Sequence, residues 1–341
     1  MTRALVIGGT GFLGLNLVDH LLAQGTNVRV TRRKKSITAF VRKRPVELVH
    51  ASLDDPGTLR TAMEGCDVVY LTAGYYPRYS IDLEGSLEEG VRGVRNACAA
   101  ALDVGVQRFV YTSSIVSLGQ APEGRPANET DIPPSMPEDS VYRAVKWAME
   151  RELDRAVDGG LHAVTLLPGG FIGPWDVRLG TGAFMVGVIK GLMPWWVDGL
   201  VHLVDVGDVA RAHAVAAERA PAGARYCVPG HSLTVGSYLA RIVRRYGGCM
   251  PPERLDIDAA RERADAEERM AAPKRERAPV PREMVDIIAC GQPVASTLAE
   301  QELGVEPAAL NDTLDRAHAW FVRFRYLPAA TADTRRSHEC R

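Results

Sequence analysis

The sequence predicts an α/β fold in which a doubly wound parallel sheet carries a smaller C-terminal lobe. Three observations predict it. Short runs of β-branched and aromatic residues alternate with helical patterns, the alternation continues through the first two thirds of the 341 residues, and no repeat of fixed period interrupts it. Such runs are typical of parallel strands buried on both faces. A chain of this length has room for one large domain and an added lobe.

The first two strands and the helix between them form the clearest unit. Residues 5–7 and 28–30 are apolar runs, and between them Leu15, Val18 and Leu21 lie on one face of a helix. This spacing predicts a strand, a helix and a parallel strand. Further strands are predicted at residues 68–71, 109–111 and 164–167, and further helices at residues 87–101, 141–157 and 206–218.

Two segments depart from this alternation and predict the lobe. Residues 168–194 are punctuated by Gly and Pro and rich in large apolar residues, which suits irregular segments that line a cavity. Residues 261–282 are rich in charge and alanine, which predicts a solvated helix that ends near Pro279 and Pro281. We assign residues 1–168 and 202–228 to the large domain, residues 169–201 and 229–327 to the lobe, and residues 328–341 to a flexible tail.

Composition excludes several classes of protein. The 41 Lys and Arg residues are balanced by 42 Asp and Glu residues, so a strongly basic nucleic-acid binder is excluded. The longest apolar stretch, residues 184–197, contains Lys190 and Pro194 and is too short for a membrane span. The apolar stretch at the N-terminus is too short for a signal peptide, so we expect a cytoplasmic protein. The six cysteines lack metal-type spacing, and no metal site is predicted.

A glycine-rich turn follows the first strand directly and opens the first helix. Its sequence, Gly-Gly-Thr-Gly-Phe-Leu-Gly at residues 8–14, removes side chains where the backbone turns sharply, and the helix N-terminus adds free N–H groups. The turn could serve strand–helix packing alone, but the strand before it and the helix after it favour the Rossmann-type binding of a dinucleotide pyrophosphate. The predicted cofactor contacts are Gly8, Thr10, Gly11, Phe12, Leu13 and Gly14.

The end of the second strand carries positively charged residues. In an NAD site, an acidic residue at this position would bind the 2′-hydroxyl of the adenosine ribose. Residues 32–35 read Arg-Arg-Lys-Lys, and guanidinium groups suit a 2′-phosphate. NADP(H) is therefore predicted over NAD(H), with Arg32 and Arg33 as ligands. A solvated charge run is the alternative. A nucleic-acid patch is disfavoured because no aromatic residues are interleaved.

Tyr142 and Lys146 are four residues apart in a predicted helix, which puts the phenol and the ammonium on one face. A phenol has a reference pKa of about 10, and shifting that pKa to 7 takes about 4 kcal/mol. An ammonium in a partly dry cleft supplies much of this stabilisation. The triplet Thr-Ser-Ser at residues 112–114 follows a strand, at the edge where open α/β sheets bind ligands. A hydroxyl there can hold a substrate oxygen.

Six motifs occur in order along the chain, at residues 8–14, 71–74, 110–114, 142–146, 167–174 and 204–210. Together they resemble the extended short-chain dehydrogenases/reductases, also called the NAD-dependent epimerase/dehydratase family, and the resemblance covers residues 3–327. The arginine after the second strand and residues 166–168, 172–176 and 197–199 are most similar to the dihydroflavonol-reductase-like branch.

The resemblance implies roles for individual residues. Tyr142 is the implied acid and base, Lys146 holds the nicotinamide ribose and lowers the pKa of Tyr142, and Ser114 polarises the reacting C–O bond. Ser113 is expected to face the interior of the fold. The implied contacts to the nicotinamide and its ribose are Thr72, Ala73, Gly74, Pro168 and Phe171. Arg33 is the first ligand for the 2′-phosphate and Arg32 the second.

The chain departs from the family pattern at two positions. The family usually has an adenine-contacting Asp after the third strand, and this chain has Ser52, which leaves Ser52 and Asp54 as open alternatives for that contact. The family also has an Asn in its central helix, and residues 90–94 contain none. A proton relay through that side chain is therefore not expected.

The implied activity is NADPH-dependent reduction of a ketone on a small, hydrophobic substrate. One alternative is a nucleoside-diphosphate-sugar 4-epimerase or dehydratase that retains NAD(H), against which the arginines and the Leu-Pro-Gly sequence at residues 167–169 argue. A non-catalytic NADP(H) sensor is disfavoured by the intact Ser-Tyr-Lys set. The expected partner is a small-molecule substrate, and a homodimer is left open. Four aromatic residues suit either a substrate wall or packing: Tyr75, Tyr76, Trp195 and Trp196.

Overall fold

The computed structural model describes residues 2–77 and 79–328. The strands are β1 (Arg3–Ile7), β2 (Asn27–Arg32), β3 (Glu47–His50), β4 (Val68–Leu71), β5 (Arg108–Thr112), β6 (Ala163–Pro168), β7 (Gly170–Ile172), β8 (Trp195–Val197), β9 (Leu200–Asp205), β10 (Arg225–Val228), β11 (His231–Thr234) and β12 (Glu253–Leu255). A seven-stranded sheet has the order β10-β6-β5-β4-β1-β2-β3. All its strand pairs are parallel. The doubly wound parallel sheet and its predicted strands are confirmed.

Helices cover both faces of this sheet. The helices of the described residues are α1 (Phe12–Ala23), α2 (Pro56–Met63), α3 (Leu83–Val104), α4 (Val141–Asp158), α5 (Ala183–Ile189), α6 (Val206–Arg219), α7 (Val235–Tyr246), α8 (Ile257–Ala271), α9 (Arg282–Ala289), α10 (Thr297–Leu303) and α11 (Leu310–Arg323). The helices α1 and α6 pack on one face, and α2, α3 and α4 pack on the other. Helices on both faces are what a parallel sheet requires.

The first strand shows why the sheet has two cores. Successive side chains of a strand point to opposite faces. Ala4 and Val6 accordingly pack with α1 and α6, while Leu5 and Ile7 pack with α2, α3 and α4. All four are buried. A strand whose residues are all apolar is therefore buried on both faces of the sheet, as the sequence predicts.

The lobe has its own core and two small sheets. Strands β11, β9 and β7 form one sheet, and β12 pairs with β8. The lobe core includes side chains of α5, α7, α8, α9 and α11. Trp195 is fully buried there, and its Nε1 donates to Glu267. Trp196 is partly buried, and the guanidinium of Arg254 lies 5.4 Å from its ring centroid. Packing thus accounts for both tryptophans.

The predicted division between domain and lobe differs from the structure in two places. Strand β9 pairs with lobe strands, but Val204 joins the core of the large domain while Leu203 joins the lobe core. The predicted boundary at residue 202 therefore falls inside a connecting strand. Helix α10, which the prediction gives to the lobe, packs on α6 and β10 because Ala299 and Leu303 are buried in the large-domain core.

The charge-rich segment is also divided differently. Helix α8 ends at Ala271, and a new helix, α9, begins after Pro281. Of the predicted tail, residues 328–341, all but Pro328 lie outside the described residues. Within the described ranges, none of the helices is long and apolar enough to cross a membrane.

Candidate active site

The glycine-rich turn joins β1 to α1 at the carboxyl edge of the large sheet. Gly8 has a φ of 97°, and a β-carbon there would lie 2.7 Å from the backbone nitrogen of Ala73. A β-carbon at Gly14 would lie 2.2 Å from the Gly8 carbonyl oxygen. Larger residues at these positions would push the turn away from the β4 loop and from the start of α1. The glycines are thus required by the close packing of the turn.

The start of α1 is able to bind an anion. Its N-cap is Gly11, which offers no side-chain hydrogen bond to the first turn. The first N–H groups of a helix have no intrahelical acceptor, and the helix dipole adds partial positive charge. Phe12, which begins the helix, contacts Phe171 edge to face with ring centroids 5.9 Å apart. The residues present therefore fit a dinucleotide pyrophosphate, and two of the predicted cofactor contacts lie together.

Arg32 and Arg33 lie at the carboxyl end of β2, on the same edge of the sheet. The backbone N–H of Arg33 donates to Ser36 Oγ over 2.8 Å, which closes a tight turn. No carboxylate among the described residues forms a salt bridge with either guanidinium, whereas Arg29 on the same strand is bound to Glu47 and to two backbone carbonyls. Arg32 and Arg33 are therefore free to bind an anion from solvent, and Arg29 is not.

The loop after β4 lies against the glycine turn. Thr72 Oγ1 donates to the carbonyl oxygen of Ile7 over 3.0 Å, and the N–H of Ala73 donates to the same oxygen. Gly74 follows, and the Nζ atom of Lys146 lies beside it. Because β1 and β4 are neighbours, this loop brings α4 and the glycine turn to one crevice. Pro168 ends β6, farther along the same sheet.

Ser114, Tyr142 and Lys146 meet in this crevice. Helix α4 begins at Val141 with Ser140 as its N-cap, which places Tyr142 and Lys146 on one buried face. The Nζ atom of Lys146 lies 5.7 Å from the centroid of the Tyr142 ring. The Ser114 hydroxyl lies close enough to the Tyr142 hydroxyl to lower the pKa of Tyr142. The structure thus brings together the three residues that sequence reasoning placed at the centre of the site.

The neighbouring hydroxyls of the triplet serve the fold. Ser113 Oγ donates to Glu150, whose second oxygen is paired with Arg225. Thr112 Oγ1 is 2.7 Å from His213 Nε2, and the other ring nitrogen of His213 is bonded to the carbonyl of Val209. Ser113 therefore faces the interior, as expected.

Comparison with known proteins gives the same classification. Residues 4–236 match the NAD dependent epimerase/dehydratase family. The chain belongs to this family. The family resemblance noted in the sequence is thereby confirmed, and the chain is an oxidoreductase of the extended short-chain dehydrogenase/reductase type.

Relatives of this family member include both reductases and an epimerase. A Synechocystis protein provisionally named dihydroflavonol 4-reductase is 32% identical over 94% of this chain and 95% of its own length. A Stigmatella aurantiaca ketoreductase that acts on a farnesylated dihydroquinoline oxide is 28% identical over 89% of this chain and 91% of its own. The crystal structure of a nucleoside-diphosphate-sugar epimerase from Pseudomonas aeruginosa superposes with a TM-score of 0.80 at 26% identity, covering 96% of this chain and 99% of that one.

Burial dominates the electrostatics of the catalytic pair in this family member. Desolvation lowers the pKa of Lys146 to about 8, against the opposing charges of Glu150 and Glu283. Desolvation raises the pKa of Tyr142, the charge of Glu283 raises it further, and the Ser114 hydroxyl lowers it. The pKa of Tyr142 is thus raised in this structure, opposite to the direction expected from Lys146, because the cost of burying the phenolate outweighs the effect of Ser114.

Sequence reasoning missed one residue of this site and left another undecided. The Tyr76 ring lies against the Tyr142 ring, with centroids 5.0 Å apart, and the Glu283 carboxyl on α9 lies near the Tyr76 hydroxyl and raises its pKa. Tyr75, in contrast, donates to Ser86 Oγ and packs against the large-domain core. Tyr76 therefore lies beside Tyr142, and Tyr75 is a packing residue. Glu283 directly follows the charge-rich segment at residues 261–282, and nothing in the spacing of that segment distinguishes it.

The two candidates for the adenine contact, Ser52 and Asp54, lie next to each other. Ser52 Oγ lies 3.4 Å from the Asp54 carboxylate, and Arg92 lies 3.4 Å from the other oxygen of Asp54. Both residues follow β3 at the correct edge of the sheet. As for metals, the described part of the chain contains no group of three His, Cys, Asp or Glu side chains placed to hold an ion.

Proposed function

We propose that the chain is an NADPH-dependent reductase of a ketone group on a small, hydrophobic substrate. The observation that carries the proposal is the meeting of Ser114, Tyr142 and Lys146 beside the glycine turn, in one crevice of the sheet. The names of the Synechocystis and Stigmatella relatives, both reductases, support the same reaction class. The Tyr76 ring, more than half exposed, adds an apolar wall next to the proton donor.

Two hydroxyls would bind the carbonyl oxygen. The hydroxyls of Ser114 and Tyr142 are neighbours, so one oxygen could receive a hydrogen bond from each of them. When bound, the nicotinamide would supply a hydride to the carbonyl carbon. Tyr142 would then give its proton to the developing alkoxide, and the Lys146 ammonium would stabilise the phenolate that remains.

The cofactor preference rests on the second strand. Arg32 and Arg33 would hold the 2′-phosphate of NADPH, because the described residues offer neither of them a salt-bridge partner. Gly8, Thr10, Gly11, Phe12, Leu13 and Gly14 would surround the pyrophosphate. Thr72, Ala73, Gly74, Pro168 and Phe171 would contact the nicotinamide and its ribose. These contacts to the pyrophosphate and the nicotinamide follow the family pattern.

An epimerase or dehydratase acting on a nucleoside-diphosphate sugar is the second candidate. The likeness to the Pseudomonas aeruginosa epimerase favours it, because the same three residues can oxidise and re-reduce one hydroxyl on a retained NAD(H). The paired arginines after β2 oppose it, since they favour a 2′-phosphorylated cofactor. The Leu-Pro-Gly sequence at residues 167–169 adds no polar side chain for a diphosphate.

One assay separates the two candidates. The purified protein is mixed with NADPH or NADH and with a panel of apolar ketones or nucleoside-diphosphate sugars, and the nicotinamide absorbance is followed together with chromatography of the sugars. The proposal expects loss of NADPH absorbance with a ketone, and no such loss in the Tyr142→Phe variant. Conversion of a sugar nucleotide without net change in the nicotinamide would instead establish the epimerase.

A further inference from the structure

A buried carboxyl of the lobe lies close to the proposed proton donor and is not used by the reaction derived above. Glu283 is in the first turn of α9 and is only 2% exposed. Acidic residues favour the first turn of a helix, but they normally lie in solvent there. The Oε1 atom of Glu283 has no hydrogen-bond partner among the described residues. A buried acceptor left in this state is costly, so packing alone does not explain the residue.

Tyr76 connects this carboxyl to the site. The Tyr76 hydroxyl lies close enough to the Glu283 carboxyl to favour its ionised form, and the centroid of the Tyr76 ring lies 5.0 Å from that of the Tyr142 ring. The backbone of both partners is fixed independently by Glu268. Its carboxylate accepts the N–H of Ser80 over 2.6 Å and the N–H of Arg282 over 2.9 Å. The loop that carries Tyr76 and the helix that carries Glu283 are therefore held at a set distance.

We propose that Glu283 is a positioning residue of this site: it fixes Tyr76 against Tyr142, and the charge on its carboxyl controls how readily Tyr142 gives up a proton. The inference rests on the proposed function, because it assigns Glu283 to the reaction in which Tyr142 is the acid. It adds a residue from the lobe to a site that is otherwise built from the large domain.

The surroundings of Glu283 favour its neutral form. Burial raises the pKa of Glu283 well above its ordinary value, and the negative charges of Glu268 and Asp286 act in the same direction. The hydroxyl of Tyr76 and the ammonium of Lys146 oppose this rise. Tyr142 itself faces the same pocket, and Arg277 acts on Tyr76. Arg78, in the Tyr76 loop, lies outside the described residues.

The sign of the coupling follows from these contacts. Below its raised pKa Glu283 is neutral and leaves the acidity of Tyr142 unaffected. As the pH rises through that pKa the carboxylate forms, and its negative charge raises the pKa of Tyr142. Tyr142 then becomes a weaker acid, so reduction should slow as the pH rises through the pKa of Glu283.

The Glu283→Gln variant keeps the shape of the protonated carboxyl and cannot ionise. Its alkaline limb in the pH profile of kcat/KM should move up by about one pH unit relative to the parent. Tyr76→Phe keeps the ring on Tyr142 but removes the hydroxyl that favours the carboxylate, so its limb should move in the same direction. The double variant should shift no further than Glu283→Gln alone. Glu262→Gln, at an exposed position of α8, is the control, and its profile should match that of the parent.

Infrared spectroscopy supplies a readout that needs neither substrate nor turnover. The C=O stretching band of a protonated carboxylic acid should be present in the parent at neutral pH, absent in Glu283→Gln, and lost from the parent as the pH is raised. Absence of this band in the parent would overturn the inference whatever the turnover. An unchanged pH profile in Glu283→Gln, in a protein that reduces ketones, would overturn it as well.

These outcomes separate the inference from the proposed function. If Glu283 is protonated but the protein reduces none of the ketones, the ketone reductase is refuted, and so is the role of Glu283 towards Tyr142. The finding that Glu283 is neutral would still stand. Ketone reduction with an ionised Glu283 at neutral pH would retain the reductase and refute the inference. Melting curves of all variants accompany both measurements, and Tyr76→Phe provides a second test if Glu283→Gln does not fold.

Discussion

The Nζ atom of Lys146 lies 3.0 Å from the position that a β-carbon at Gly74 would occupy. Lys146 projects from α4, and Gly74 follows β4, so the contact joins two strand–helix units of the large domain. At this distance, the loop after β4 can lie against the Lys146 ammonium only because Gly74 has no side chain. The position of Lys146, on which the proposed chemistry depends, is thus set partly by a glycine far away in sequence.

Replacing Gly74 with Ala should impair function more than stability. The added methyl group would displace the flexible end of the Lys146 side chain, which the fold tolerates, but the ammonium would leave its place beside Tyr142. We expect a loss of about tenfold in kcat/KM, equivalent to about 1.4 kcal/mol, with a melting temperature within a few degrees of the parent. Gly159→Ala at the end of α4 is the control, because its β-carbon would meet only ordinary contacts of 3.4 Å. Parental activity in Gly74→Ala would show that the contact is unimportant.

The arginines after β2 should determine the choice of cofactor. We expect NADPH to bind at least about tenfold more tightly than NADH, or about 1.4 kcal/mol, because Arg33 and Arg32 can pair with the 2′-phosphate. Arg33→Ala should remove most of this preference without weakening NADH binding. Fluorescence titration of both cofactors measures it, with Lys35→Ala as the control in the same charge run. Equal affinities in the parent would refute the preference for NADPH.

Much of the site is predictable because its signals are local. The glycine turn, and the four-residue spacing of Tyr142 and Lys146, are each contained in one strand–helix unit whose periodicity is visible in the sequence. Glu283 is different, because its burial depends on Glu268 holding the distant Ser80 and Arg282 backbones. In the sequence Glu268 lies in the charge-rich segment that predicts a solvated helix, and Glu283 follows that segment directly. Their role becomes visible only when the lobe packs on the Tyr76 loop.

Side-chain electrostatics were the least predictable part of the site. The spacing of Tyr142 and Lys146 indicates that they face each other, but it does not reveal how dry their surroundings are. Burial reverses the expected direction for Tyr142 and removes part of the basicity of Lys146. The packing of α10 on the large domain was equally hard to predict, because the apolar face formed by Ala299 and Leu303 could pack on the large domain or on the lobe.

The protonation of Lys146 should control cofactor affinity. With its pKa lowered to about 8, Lys146 is charged at neutral pH and loses its charge as the pH rises through that value. NADPH affinity of the parent should therefore decline above about pH 8. Lys146→Met should bind NADPH about tenfold more weakly at pH 7, or about 1.4 kcal/mol, and show no decline across that range. Lys190→Met, at the end of α5, is the control for loss of a lysine. A parental pH dependence in Lys146→Met would assign the titration to another group.

The Tyr142→Phe variant should keep the fold and the cofactor site but lose reduction. Phe retains the ring that packs against Tyr76, so no cavity forms and the melting temperature should change little. NADPH binding should survive because the glycine turn and the β2 arginines are untouched.

Although Tyr142→Phe keeps the packing of the ring, it removes the hydroxyl that would donate the proton. Transfer of a hydride leaves an alkoxide whose charge must be met by a proton as it develops, and the Tyr142 phenol, beside Ser114 and Lys146, is the group placed to give it. We therefore expect turnover to fall by about 10²-fold or more. The measurement pairs melting curves, with and without NADPH, with the turnover assay on the ketone that proves active. If the variant reduced that ketone within a few-fold of the parent, Tyr142 would not be the acid, and the proton would have to come from another group in the crevice.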